Sequence, residues 1–199
     1  MNVRPIWGPI WFAAFLAFAC SVLVSAQAQQ RVILAIGDSM TAGYGVDAES
    51  SYPAQLEKEL KSRGYDFRVV NHGVTGSTTT QAMSRLIRGL ALQPEIVIIQ
   101  LGGNDAAQGI PRDISRQNLR TMIQRFKPGG AKIFFAGGRF PHLDEIAAEL
   151  NVPVIPFLDG VRGNRELLLA DGAHPTGEGY VIVVRNMLKA IEPVLQKQK

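Results

Sequence analysis

The sequence contains a single cysteine, Cys20, and no charged residue between positions 5 and 30. One cysteine cannot build an intramolecular disulfide framework or a cysteine-based zinc site. A charged fraction of 19% beside a hydrophobic fraction of 46% excludes a disordered or low-complexity chain. The net charge of +4 is small and no basic run is present, so the composition argues against a nucleic-acid partner. The 199 residues suffice for one well-packed domain.

The uncharged amino-terminal stretch has the features of a secretory signal peptide. Arg4 precedes an apolar run over residues 10–24. Ala26 and Ala28 place small residues at the two positions that signal peptidase recognises. We therefore predict that residues 1–28 are a signal peptide, cleaved after Ala28.

Cleavage there leaves residues 29–199 as the mature domain, beginning at Gln29. That domain holds 171 of the 199 residues, 20 of them basic and 17 acidic, which is a net charge of +3 without any cysteine. The predicted location is periplasmic or secreted. The alternative is an uncleaved membrane anchor, because residues 6–24 approach the length that spans a bilayer.

Short apolar runs alternate with helical segments in the rest of the chain. Continuous runs of Val, Ile and Leu that end at turn residues predict buried parallel strands. Apolar residues three or four positions apart, such as Leu56 and Leu60, predict helices. We predict strands at residues 31–36, 67–71, 95–101, 132–136 and 154–157, and helices at residues 51–64, 79–90, 143–150 and 176–195.

A further helix is predicted between the third and fourth strands. Asp113 is expected to cap it, and Pro128 to end it. Its predicted apolar residues are Ile114, Met122, Ile123 and Phe126.

Strand–helix alternation of this kind predicts an α/β fold in three layers, with helices on both faces of a parallel sheet. Five strands suit the flavodoxin-like order 2-1-3-4-5. Functional sites in such sheets form outside the carboxyl ends of the strands. The segments expected at that edge are GDSMT at 37–41, NHGVTG at 71–76, GGND at 102–105 and DGAHP at 171–175.

Polar groups in these segments make up the inventory of an acyl-transfer site. Each has an ordinary structural explanation, because Ser39 can cap a turn and Asn104 and Asp171 are common turn residues. Together with His174, however, they supply a nucleophile, a base, an orienting carboxylate and a hydrogen-bond donor. Their joint occurrence at one sheet edge predicts a hydrolase.

In these four segments the sequence resembles the SGNH (GDSL-type) hydrolase family, over residues 31 to about 194. It is most similar to the branch of periplasmic acyl-CoA thioesterase I, lysophospholipase and arylesterase enzymes. The resemblance implies an exported serine esterase or thioesterase that forms a covalent acyl-serine and needs no cofactor or metal. The implied partner is a small-molecule or lipid acyl ester, with at most peripheral membrane contact.

The resemblance also implies the roles of the site residues. Ser39 is the expected nucleophile, His174 the general base, and Asp171 the carboxylate that orients the imidazole. The expected oxyanion hole consists of the backbone N–H groups of Ser39 and Gly76 and the side-chain amide of Asn104.

Four more polar residues are expected to have lesser roles. Asp38 and Asp105 are interpreted as carboxylates that fix loops. His72 is expected to lie beside the site without taking part in catalysis. His142 is expected to lie on the surface, where it could line the acyl groove.

The sequence departs from the family pattern in two places. Met40 stands where the family usually has leucine, a volume-conserving exchange that we expect to be tolerated. Residues 139–151 form a shorter segment than in the thioesterase I branch, which leaves the acyl-chain preference open.

Two alternative functions remain at this stage. A carbohydrate or cell-wall O-acetylesterase would use the same groups on a smaller acyl unit. A non-catalytic flavodoxin-like module would instead bind an anion at these loops.

Overall fold

The computed structural model describes residues 30–138 and 141–195. The predicted signal peptide and the side chain of His142 therefore lie outside the described residues. Arg31, only two positions after the predicted mature start at Gln29, begins the first strand.

A five-stranded parallel sheet forms the centre of the domain. Neighbouring strands pair in the order β2-β1-β3-β4-β5, which confirms the predicted fold class and strand order. Ile33 at the middle of the sheet pairs with Val69 of one neighbour and Ile96 of the other. The strands are β1 (Arg31–Gly37), β2 (Phe67–Gly73), β3 (Ile96–Gln100), β4 (Lys132–Gly137) and β5 (Val154–Pro156).

Helices connect the strands and cover both faces of the sheet. The last helix begins after Thr176, whose side chain accepts a hydrogen bond from the N–H of Gly179. Within the described ranges the α-helices are α1 (Ser39–Ala42), α2 (Tyr52–Ser62), α3 (Thr79–Met83), α4 (Leu86–Ala91), α5 (Gly103–Ala107), α6 (Arg112–Phe126), α7 (Pro141–Glu149) and α8 (Gly177–Ile191). Shorter 3-10 turns lie at Ala48–Ser50, Lys127–Gly129, Arg165–Leu167 and Glu192–Val194.

The prediction of a single helix at residues 79–90 is wrong, because this segment forms two short helices, α3 and α4. The Ser84 hydroxyl donates to the carbonyl of Gln81, and the N–H of Arg85 donates to the carbonyl three residues back, at Ala82. A serine side chain that competes for a helix carbonyl, together with this tighter turn, ends α3.

The predicted cap and apolar face of α6 also need correction. Pro111 occupies the cap position with an extended ψ of 142°, and Asp113 lies inside the first turn. The negative charge of Asp113 still favours that end of the helix. Ile114 is 46% exposed, whereas Met122, Ile123 and Phe126 are buried as predicted.

Two apolar cores lie on opposite faces of the sheet, because alternate side chains of each buried strand point to opposite faces. One core packs α2 and α8 against the sheet, and the other packs α6 and α7. Ile33 and Ala35 of β1 belong to the first core, and Leu34 and Ile36 to the second. No helix in the described ranges is long and apolar enough to cross a bilayer.

Candidate active site

Ser39 is the first residue of α1, at the tight turn that follows β1. Asp38 caps α1 by accepting a hydrogen bond from the N–H of Met40 at 3.0 Å, so Ser39 itself is not the cap. A Cβ at Gly37 would collide with the side chain of Thr41, so the turn needs glycine there. The N–H of Ser39 is at the first helical position, where no acceptor exists within the helix. The hydroxyl and this N–H are therefore presented at the carboxyl edge of the sheet.

Ser39, His174 and Asp171 form a continuous hydrogen-bonded chain. The Ser39 Oγ lies 2.7 Å from Nε2 of His174, and Nδ1 of the same ring lies 2.6 Å from Oδ2 of Asp171. When Nδ1 donates to the carboxylate, Nε2 of the neutral ring is left as an acceptor for the serine hydroxyl. The side chain of His174 is 20% exposed and that of Asp171 is 38% exposed.

Asp171 holds its own loop as well as the imidazole. Its Oδ1 accepts hydrogen bonds from the N–H groups of Ala173 at 2.9 Å and His174 at 3.0 Å. These backbone bonds, followed by the bond to the His174 side chain, lower the pKa of Asp171 to about 2. Asp171 therefore stabilises its own turn through Oδ1 and contacts the imidazole of His174 through Oδ2.

Asn104 connects the loops that follow β1, β2 and β3. Its Nδ2 donates to Oδ2 of Asp38 at 3.3 Å and to the carbonyl of Ser77 at 3.1 Å. Both distances are at the long end for such bonds, so the amide is held in place without being strongly bound. The Asn104 side chain thus binds two other loops, which a residue that only stabilises its own turn would not do.

Gly76 adopts a positive φ of 76° in the loop after β2, next to the carbonyl that Asn104 binds. Gln108, at the end of α5, donates from Nε2 to the carbonyl of Gly76 at 2.7 Å. The structure thus brings Ser39, Asn104 and His174 to one cavity, and it holds Gly76 at the neighbouring loop.

Asp105 fixes the loop after β3, as expected from the sequence. It is buried and accepts hydrogen bonds from the N–H of Thr79 at 3.0 Å and from the hydroxyl of Ser115 at 2.6 Å. The hydroxyl of Thr79 also donates to it. Because the carboxylate binds α3 and α6 together, it sets the position of the adjacent Asn104 relative to the Gly76 loop.

Sequence reasoning missed three residues around this site. Arg85 donates to Oγ of Ser77 at 3.0 Å, behind the Gly76 loop, and Gln108 holds that loop from the other side. The ring of Tyr44 lies 4.8 Å from the imidazole of His174, tilted by 47°. Only Gln108 had a signal in the sequence, since it follows Asn104 by four positions and so shares its side of a helical turn.

His72 lies half-buried in β2, outside the Ser39–His174–Asp171 chain. Burial, and after it the charges of Arg85 and Arg88, lower its pKa. The neutral imidazole is therefore favoured.

A mostly apolar cavity of about 160 Å³ opens beside Ser39. It follows the carboxyl ends of β3 and β4 toward α7. Besides Ser39, Asn104 and His174, the polar lining residues are Asp38, Gln100 and Asp144, and most of the other lining side chains are apolar. Its main lining residues are Ser39, Asn104, His174, Gln100, Leu101, Phe135, Ala136, Leu143, Asp144, Phe157 and Leu158.

A Ser–His–Asp chain at the carboxyl edge of a parallel α/β sheet, open to an apolar cavity, defines the class of serine hydrolases. Residues 35–182 match the profile described as "GDSL-like Lipase/Acylhydrolase family", and the chain belongs to that family. It is an ester-hydrolysing enzyme, which rules against the non-catalytic alternative.

Relatives with descriptive names cover nearly the whole chain. "Esterase TesA" of Pseudomonas aeruginosa is 33% identical over 189 residues, covering 87% of this chain and 94% of the relative. "Thioesterase 1/protease 1/lysophospholipase L1" of Escherichia coli (strain K12) is 29% identical over 200 residues, covering 93% and 94%. A crystal structure of TesA is similar with a TM-score of 0.77 and 32% identity, covering 83% of this chain and all of the other.

Proposed function

We propose that this protein is an exported esterase or thioesterase that hydrolyses acyl esters through a covalent acyl-Ser39 intermediate. One observation carries the proposal: the 2.7 Å contact of Ser39 Oγ with His174 Nε2, continued at 2.6 Å to Asp171, at the mouth of an apolar cavity. Esterase, thioesterase and lysophospholipase names among the relatives support the same reaction class.

Acylation begins when the Ser39 oxygen attacks the ester carbonyl carbon. His174 takes the hydroxyl proton at Nε2 as the new C–O bond forms, because a serine hydroxyl is a weak nucleophile without a base. Asp171 remains a carboxylate at neutral pH, since its pKa is about 2, and it stabilises the imidazolium that results.

The tetrahedral intermediate places a negative charge on the former carbonyl oxygen. The N–H groups of Ser39 and Gly76 and the amide of Asn104 are the proposed donors to that oxygen. The Gln108 and Arg85 contacts hold the Gly76 loop before the substrate arrives, which is the condition for effective electrostatic stabilisation.

Collapse of the intermediate breaks the bond to the leaving group. His174 returns its proton to the leaving alkoxide, or to a thiolate when the substrate is a thioester, and the acyl group stays on Ser39. Water then attacks the acyl-serine with the same base, releasing the carboxylic acid and restoring the serine hydroxyl.

Labelling with a fluorophosphonate tests the covalent step. We expect one adduct per chain, on the peptide that contains Ser39, detected by mass spectrometry of the digested protein. Preheating to unfold the protein should abolish the adduct, since the reactivity depends on His174. An adduct on any other serine, or none in folded protein, would refute the proposal.

Export is the second part of the proposal. β1 begins at Arg31, so cleavage after Ala28 would leave the described fold intact with only two residues ahead of it. We expect amino-terminal sequencing of protein recovered from the periplasm or medium of its host to start at Gln29. Protein that starts at Met1 and stays in the membrane fraction would instead establish the anchor.

A further inference from the structure

We infer that the acyl site takes a short, uncharged chain of about four to six carbons, and that Leu143 and Asp144 set this limit. The inference rests on the proposed function, because it treats the cavity beside Ser39 as the acyl site. It names the substrate class that the sequence left open.

The size of the cavity sets the first limit. An engineered cavity of about 150 Å³ in another protein, lined by Leu, Ile and Phe, stays dry and holds benzene. The cavity here, about 160 Å³, is therefore large enough for about six carbon atoms. It reaches from β1 to β4, which are separated by two strand spacings, or about 10 Å.

The walls of the cavity have little freedom to widen. Leu101, Phe135 and Leu143 belong to one core and are no more than 3% exposed. Phe157 and Leu158 come from the core on the other face of the sheet. Because side chains from both cores meet at this edge, enlarging the cavity would require repacking a core.

Leu143 and Asp144, in the first turn of α7, both line the cavity. Leu143 packs so close to Gly102 that a Cβ there would press into its side chain. Both carboxylate oxygens of Asp144 accept the N–H of Gly138 at 3.0 Å, and a Cβ at Gly137 would collide with that carboxylate. α7 is thus attached directly to the end of β4, so the Leu143 and Asp144 side chains have fixed positions in the lining.

The lining also selects against charge. Asp38 and Asp144 both place a carboxylate in it, so an acyl chain that ends in its own carboxylate would meet a like charge. A plain alkyl chain meets mainly the carbon of Leu101, Phe135 and Phe157.

A series of p-nitrophenyl esters tests the inference, with each ester kept below its critical micelle concentration. From acetate to butyrate we expect kcat/KM to rise about fifteenfold, since each buried methylene contributes about fourfold. The highest kcat/KM of the series should be that of the butyrate or the hexanoate. The kcat/KM for the dodecanoate should be at least about tenfold below that maximum, because its chain has to displace Leu143 or Asp144. The kcat/KM for the p-nitrophenyl hemisuccinate should be at least about tenfold lower than that for the butyrate. In Asp144→Asn the difference in kcat/KM between these two esters should be smaller.

Leu143→Ala should move the maximum to octanoate or longer. Leu119→Ala is the matched control, because Leu119 is a buried leucine of the same core that does not line the cavity. It should lower the thermal midpoint without moving the maximum. Leu143→Val is a smaller truncation and should move the preferred chain length less. If a variant does not fold, the chain-length profile of the wild-type enzyme still tests the inference.

A maximum at acetate or at dodecanoate, in enzyme whose Ser39 takes up the fluorophosphonate, would overturn the inference alone. An unchanged profile in folded Leu143→Ala would overturn the role of that residue. Failure of Ser39 to be labelled would remove the proposed function, and the inference with it.

Discussion

Replacing Ser39 with alanine is expected to lower kcat for ester hydrolysis by about 10⁶-fold, the loss found when a serine nucleophile is removed. The Oγ of Ser39 contacts Nε2 of His174, and it is the oxygen that forms the acyl-enzyme in the proposed mechanism. Asp38, not Ser39, caps α1, so the variant keeps the local turn. We therefore expect a folded protein with a thermal midpoint within about 2 °C of wild type.

Steady-state kinetics on a short-chain p-nitrophenyl ester, with circular dichroism of the same samples, measures both outcomes. Ser62→Ala is the matched control, because Ser62 is an exposed serine at the end of α2 whose hydroxyl donates to the carbonyl of Glu59. It should retain full activity. Near-normal turnover by folded Ser39→Ala would contradict the mechanism.

Replacing Asp171 with asparagine is expected to lower kcat by up to about 10⁴-fold. The variant keeps the size of the side chain but removes the negative charge that lies 2.6 Å from Nδ1 of His174. An amide can also present its NH₂ group to that nitrogen, which leaves the wrong ring nitrogen protonated. Ser39 would then lose its acceptor.

The same substitution should also change the pH dependence of the reaction in a definite direction. His174 accepts the Ser39 proton only as a neutral imidazole, so kcat/KM should fall toward acid pH. Asp171, with its pKa of about 2, carries its negative charge beside the imidazole across this whole range. Removing the charge should therefore shift the acid limb of the residual activity to lower pH. A pH–rate profile of wild type and Asp171→Asn tests this shift.

A double-mutant cycle separates a joint role from independent ones. His174→Ala should lose about as much activity as Asp171→Asn, and the double variant much less than the product of the two losses, because the residues act as a unit. Strictly multiplicative losses would identify Asp171 as a turn residue only, as would a normal rate and profile in Asp171→Asn.

Strand positions and their order were predictable from the sequence because burial on both faces leaves a simple pattern. The segment predicted at 95–101 contains β3 at Ile96–Gln100, and the segment predicted at 132–136 matches β4 within one residue. Continuous Val and Ile runs satisfy both cores at once, and few other structures accommodate them.

Helix details were less predictable, because they depend on single side-chain competitions and on neighbours distant in sequence. Ser84 ends α3 by bonding a helix carbonyl, although the spacing of apolar residues continues through it. Ile114 carries a core-type side chain but sits in a first turn that the other elements leave exposed. Neither outcome follows from local propensity.

The sequence by itself determined which chemical groups reach the carboxyl edge of the sheet. Ser39 comes two residues after the end of β1, and Asp171 precedes His174 by three residues, so local chain geometry alone can bring that carboxylate to the imidazole. Tertiary structure decided the rest. The contact of Ser39 with His174 spans 135 residues, and the supports from Gln108 and Arg85 likewise depend on how separate elements pack. Side chains from both cores line the cavity beside Ser39, and packing of this kind across the whole chain leaves no local pattern in the sequence.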